Sequence, residues 1–224
     1  MRLAAAALAL AAAAPSTPHA TLLGRSLQGR AITAVEVGDP AGKRVLVVGS
    51  VHGNEPAGIA VARRLEQLSP AGTDLWIVRD LNPDGRAANT RGNAHGVDLN
   101  RNFPYRWRRL AGVYYSGPRA LSEREARIGY RLILRLRPAV TVWFHQHMNL
   151  VWASGGDPAV ERRFARVSGL PYRRLPALPG SAIDWQNHGL PGTTAFAAEL
   201  PAGPASARAL ARYVRAVLAV GRTR

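Results

Sequence analysis

The chain of 224 residues contains no cysteine. That excludes a disulfide scaffold, a thiolate zinc site, an iron–sulfur cluster and a cysteine nucleophile. Lysine is nearly absent: Lys43 stands alone, so 29 of the 30 basic residues are arginine. Acids number only 14, which leaves a net charge of +16. A surplus of that size raises the question of a nucleic-acid partner. The arginines are dispersed, however, and no helix-turn-helix, zinc-finger or aromatic RNA-binding strand pattern is present. The chain is also rich in Ala, Gly and Pro, so the arginine content reads as compositional bias, and nucleic acid is not the expected partner.

Long apolar runs are missing too. After residue 20 no stretch approaches the roughly 20 apolar residues that a bilayer-spanning helix needs, so no stable membrane insertion is expected. The one unbroken Leu/Ala run, residues 3–14, follows Arg2 and is too short to span. A positive start, a short apolar stretch and a small-residue end describe a secretory signal, with Ala20 as the cleavage point and Pro18 an unusual residue before it. The expected organisation is a signal segment at 1–20 and one catalytic domain over 21–224. The mature protein would be exported: secreted, periplasmic or cell-wall associated.

What remains has ample material for a core, since 47% of the chain is hydrophobic. Residues 32–37 alternate like a half-buried strand. Residues 45–49, 75–78 and 139–144 are short continuous apolar runs, which suit strands buried on both faces. Helices are expected at 56–68, 122–136, 159–167 and 206–220. Ser122 to Glu125 would form a capping box, and Pro138 a stop. Residues 82–85 read as a turn and 86–120 as a long loop, which in a compact domain is usually functional. A further strand is expected at 193–200. Strands alternating with helices predict a three-layer α/β/α sandwich with a mixed, mostly parallel central sheet. Ligands of such sheets sit at the carboxyl ends of the strands.

Several polar residues fall at those ends. His52 and Glu55 follow the 45–49 strand, and a His and a carboxylate three apart at a strand-to-helix turn can face one metal. His145 ends the 139–144 strand, with His147 as a competing ligand if the strand continues. Two His and one Glu, with an open fourth position, make a catalytic zinc shell. Glu199 closes an apolar strand, where a carboxylate is costly to bury without a partner; near a metal it would serve as a general base. Arg101 offers a planar fork for a carboxylate, Asn100 adds amide donors, and Arg91 lies ten residues earlier.

Taken together, GSVHGNEPAG (49–58), NPDGRAANTRGNAHGVDLNRNFP (82–104), FHQH (144–147), SAIDW (181–185) and TTAFAAEL (193–200) resemble the M14-type zinc carboxypeptidases. The nearest likeness is to the compact bacterial branch that includes the murein peptide amidases. The pieces occur in family order and cover most of residues 22–220. The resemblance implies one Zn2+ ion held by His52, Glu55 and His145, with Glu199 as general base. It implies that Arg91 stabilises the oxyanion and that Asn100 and Arg101 hold the substrate's terminal carboxylate. It also implies that Ile183 sits at the base of the specificity pocket. One departure stands out: where the digestive enzymes carry a mobile, substrate-capping tyrosine, this chain has Leu175-Pro176, with Tyr172 displaced by a few residues. His188 and Trp185 could also line the pocket.

The implied reaction is metal-assisted hydrolysis of an amide beside a free carboxylate. The expected partner is a peptide or muropeptide, with the γ-D-glutamyl–diaminopimelate bond as the specific expectation and a monomer as the working state. A general C-terminal carboxypeptidase is the alternative, as is a deacylase resembling aspartoacylase or succinylglutamate desuccinylase. A non-catalytic wall-binding module is the reading from outside the enzymes.

Overall fold

The computed structural model describes residues 19–222. The expected signal segment therefore lies outside the described residues except for His19 and Ala20, which open the first strand and pair with Glu36 and Val35.

Seven strands form one sheet. They are β1 (His19–Arg25), β2 (Ala31–Gly38), β3 (Lys43–Val48), β4 (Thr73–Val78), β5 (Val140–Ala153), β6 (Tyr172–Arg174) and β7 (Thr194–Pro201). Their order is β1-β2-β4-β3-β5-β6, with β7 also paired to β5. β1 and β2 are antiparallel additions; β3 runs parallel to β4 and to β5. Around the sheet lie α1 (Ala57–Leu65), α2 (Pro83–Ala88), α3 (Arg124–Leu136), α4 (Pro158–Ser168), α5 (Ala182–Gly189) and α6 (Ala207–Gly221). The predicted mixed α/β sandwich is present. No helix among the described residues is long and apolar enough to cross a membrane.

Strand parity divides the core. Side chains alternate across a strand. Val45, Val47, Val142, Phe144, Phe196 and Ala198 point to one face, where α1, α4 and α6 cover them. Leu46, Val48, Trp143, Ala195 and Ala197 point to the other, covered by α3, α5 and the 97–103 segment. His145 continues the parity of Trp143, and Glu199 that of Ala197. The two are register partners between β5 and β7. Parity alone thus delivers an imidazole and a carboxylate to the same face of the sheet.

β5 is longer than the sequence suggests. Its pairing with β7 ascends from Val140↔Thr194 to His147↔Pro201, then reverses from Leu150↔Glu199 to Ala153↔Phe196. The strand passes the end of β7 and returns along it, so Glu199 has β5 residues beside it in both arms.

Two local expectations need correction. Asn82–Gly85 is not a free turn: Asn82 caps α2, its side-chain oxygen accepting from the Gly85 amide at 3.0 Å. The capping box before α3 does not form. Ser122 Oγ donates to Glu123 Oε1, and Glu125 accepts instead from the Leu27 amide and from Asn93. Those long-range partners outcompete the local cap. The strands β1 and β6 and the helix α5 had no periodic signal of their own.

Candidate active site

His52 and Glu55 occupy the turn between β3 and α1. The turn is tight because Gly53 lies against α2: a Cβ there would sit 1.9 Å from the Gly85 carbonyl carbon. Only glycine permits that approach. Glu55 Oε1 lies 2.9 Å from His52 Nδ1, and its Oε2 lies 3.0 Å from His145 Nδ1. The two Nδ1 atoms are 3.2 Å apart. Ligand atoms of all three residues fall within 4.8 Å of one another, and all three are buried. This is the one such cluster of His, Asp and Glu among the described residues.

A fourth residue orients the cluster. His52 Nε2 lies 2.9 Å from Asp98 Oδ1, which directs Nδ1 toward the shared centre. A carboxylate on the far nitrogen of a metal-ligating histidine fixes its ring and raises its basicity. Burial alone would lower the His52 pKa, but the Asp98 charge and its hydrogen bond win, and the pKa is raised. Burial likewise works to raise the Asp98 and Glu55 carboxyls. Against it, His52 holds Asp98 below the ordinary carboxylate range, and hydrogen bonds with His145 and His52 do the same for Glu55. Two imidazole nitrogens and a carboxylate oxygen, open to a cavity on one side, fit a zinc ion.

The cavity beside the triad has a volume of about 460 Å³. Arg91, Asn100, Arg101, Ile183 and Glu199 all line it, so the proposed catalytic and substrate-binding residues reach the same space as the triad. Arg91 is braced by two carboxylates: its Nε donates to Asp98 Oδ2 and its NH1 to Glu55 Oε1, each at 2.9 Å. Asn100 accepts from the Ala182 amide at 3.0 Å, which ties it to the start of α5 just before Ile183. Arg101 is only 7% exposed, and among the described residues the sole hydrogen bond of its side chain is from NH1 to the Asn100 carbonyl at 2.7 Å. No carboxylate among the described residues forms an ion pair with it. Burial lowers its pKa, and the nearby Asp98 charge only partly offsets this. Glu199 is 8% exposed, and its Oε2 has no hydrogen-bond partner among the described residues. A second depression, about 550 Å³ beside Ser69–Thr73 and Arg222, holds no imidazole or carboxylate.

The open questions from the sequence divide. His147 lines the cavity but is exposed and stands outside the metal-binding cluster. Tyr172 does not line it; its hydroxyl lies 3.1 Å from Glu161 Oε2, under α4. Trp185 packs against Phe103 and Tyr130, and His188 stacks on Tyr105, so neither lines the cavity. Among the residues that do line it without being anticipated are Tyr114 and Arg108. Tyr114 lies inside the long loop, where no periodicity marks it, and Arg108 is one arginine among 29. Asp98 was within the GVDLNRNFP segment, but its partner His52 is 46 residues away and only the fold reveals the contact.

Comparisons with known proteins agree with this geometry. The family model for zinc carboxypeptidase matches residues 4–160. Murein peptide amidase A of Escherichia coli (strain K12) is 34% identical over 146 residues, 58% of this chain and 59% of that protein. The shared stretch is thus less than two thirds of that relative. Murein peptide amidase A of Vibrio campbellii is 29% identical over 196 residues, covering 81% of this chain and 76% of its own. Among solved structures, murein-tripeptide amidase MpaA from Escherichia coli O157 superimposes with a TM-score of 0.74 at 26% identity, over 92% of each chain. The family match takes in most of the chain, and His52, Glu55, Asp98, Arg101 and His145 all fall inside it. The chain belongs to the zinc carboxypeptidase family.

Proposed function

We propose that the protein is a metallocarboxypeptidase or amidase that hydrolyses an amide bond beside a free carboxylate, acting on cell-wall peptides at the γ-D-glutamyl–diaminopimelate bond. The observation that carries this reading is Arg101: a buried guanidinium with no carboxylate of its own, facing the cavity that holds the His52–Glu55–His145 triad. A buried charge without a partner is costly unless a ligand supplies the counter-charge.

His52, Glu55 and His145 would hold the zinc ion. The chemistry supplied by zinc in that triad is polarisation of the scissile carbonyl and a lowering of the pKa of water toward about 7. Arg101 binds the terminal carboxylate through its N–H edges, and Asn100 adds an amide donor. Together they set the bond to be cut beside the triad. Arg91, held by Asp98 and Glu55, directs its remaining N–H groups at the oxygen on which negative charge develops. Glu199, with one buried oxygen unpartnered, accepts a proton from the attacking water and passes it to the leaving nitrogen.

The substrate class rests on two supports. The relatives named above are murein peptide amidases. In addition, the cavity wall combines apolar Ile183 with Arg108 and Asp184, charges of both signs. That combination suits a side chain ending in both an ammonium and a carboxylate, as diaminopimelate does. The leader-like residues 1–20 support export to the compartment where such peptides occur.

The test is hydrolysis of L-alanyl-γ-D-glutamyl-diaminopimelate by the zinc-loaded protein, beside a panel of ordinary C-terminal peptides. Cleavage at the γ-glutamyl bond is expected; cleavage of the panel alone defeats the murein reading. Glu199→Gln should keep zinc and lose about 10²- to 10⁴-fold in turnover. Undiminished turnover would remove Glu199 from the mechanism.

A further inference from the structure

Tyr114 has no assigned role, yet its ring meets two of the cavity arginines, Arg91 and Arg101. The Arg91 and Arg101 guanidinium carbons each lie 5.3 Å from its centroid, within cation–π range. The residue is 48% exposed and lines the cavity. Among the described residues its hydroxyl has no hydrogen-bond partner, so what it offers is the ring.

The backbone, not the side chain, places that ring. Tyr114 ends a short 3₁₀ turn, Gly112–Tyr114, whose Gly112 has φ +63. The Tyr115 amide closes the turn on the Gly112 carbonyl at 3.0 Å. The Tyr115 carbonyl accepts from the Asp98 amide at 2.8 Å. Asp98 is the residue that braces His52 and Arg91. The turn is thus fastened to the core of the site by main-chain bonds that survive loss of the ring.

A guanidinium has two kinds of surface. Its faces accept an aromatic ring, and its edges carry the N–H groups that bind a carboxylate. A ring over the face leaves the edge free, strips water from one side and restricts rotation of the plane. The negative face of the ring also eases the approach of two like charges. We propose that Tyr114 is a positioning residue that holds Arg91 and Arg101 with their N–H edges toward an entering carboxylate. The site's preference for substrates with a free terminal carboxylate then depends on the aromatic ring of Tyr114. The proposal rests on the functional reading above, because it takes the carboxylate as the group Arg101 binds.

The test is calorimetric binding to zinc-loaded Glu199→Gln protein, in which turnover is suppressed. The probes are L-alanyl-γ-D-glutamyl-diaminopimelate and benzoyl-glycyl-phenylalanine, each as the free acid and as the C-terminal amide. Added Tyr114→Ala should raise Kd for the free acids by roughly five- to tenfold and leave the amides unchanged. Tyr114→Phe should restore acid binding, and thermal midpoints should not move in either variant. Unchanged or tighter acid binding in Tyr114→Ala overturns the proposal. So does equal weakening of acid and amide, or failure of the Tyr114-containing protein to distinguish them. This readout needs no hydrolysis. A protein that shows the acid preference but cleaves neither probe when Glu199 is intact counts against the proposed function alone.

Discussion

On one face of the sheet, Val45, Val47, Val142, Phe144, Phe196 and Ala198 meet α1, α4 and α6 through apolar contact. On the other, the same strands present Leu46, Val48, Trp143 and Ala197, and then His145 and Glu199. The helical face is held by area removed from water, a non-directional force that any well-fitting apolar side chain satisfies. The opposite face, where the 97–103 loop segment joins α3 and α5, buries Asn82, Asp84, Asn93, Asp98, Asn100, Arg101, Asn102 and Glu123. Each of these needs a particular partner at a particular distance. One face can therefore accept many sequences, while the other depends on specific pairs such as Asp98 with His52.

The comparison breaks if damage to the helical face reaches the site chemistry. Phe164 is fully buried between Phe144 and Phe196. Phe164→Ala should cost about 3–5 kcal/mol in denaturant unfolding. Activity per folded molecule should be unchanged at a temperature where the variant remains folded. On the loop face the opposite pattern is expected. Arg101→Met removes a buried charge that has no internal carboxylate, so stability should hold or rise. Specificity kinetics should show kcat/KM for free-acid substrates falling by about 10²-fold, with little change for amides.

Glu161, on α4, is a buried carboxylate of the helical side and sharpens the contrast. One oxygen accepts from Tyr172 and the other has no partner among the described residues. Burial raises its pKa from 4.5 to about 7, with the Tyr172 hydrogen bond opposing only in part. The folded state therefore holds this proton more tightly than the unfolded chain. Below about pH 4.5 the group costs nothing. As pH rises from 4.5 to about 7, stability is lost, on the order of 3 kcal/mol. Unfolding measured at pH 5 and pH 8 should show that loss in the unaltered protein, and Glu161→Gln should remove this part of it.

The two faces also differ in how readable they are. β2, β3, β4, β7, α4 and α6 follow from alternation, apolar runs and caps, because those patterns are what burial against a sheet demands. The long loop has no period. There only motifs single out Arg91, Asn100 and Arg101, whereas His52, Glu55 and Glu199 are marked by their places at strand ends. Asp98's contact with His52, the cavity position of Tyr114 and the return of β5 along β7 all join residues distant in sequence. The capping box at Ser122 failed for the same reason, because Glu125 is taken by Leu27 and Asn93. A local pattern does not reveal a competing partner about a hundred residues away.

The central claim is that parity and two turns bring His52, Glu55 and His145 to one metal. Metal analysis of the zinc-loaded protein, with anomalous scattering at the zinc edge, tests it directly. The account predicts one zinc per chain, with the anomalous peak contacting those three side chains and Glu199 facing the open side. A peak held by His147 in place of His145, or no stoichiometric zinc, would contradict it.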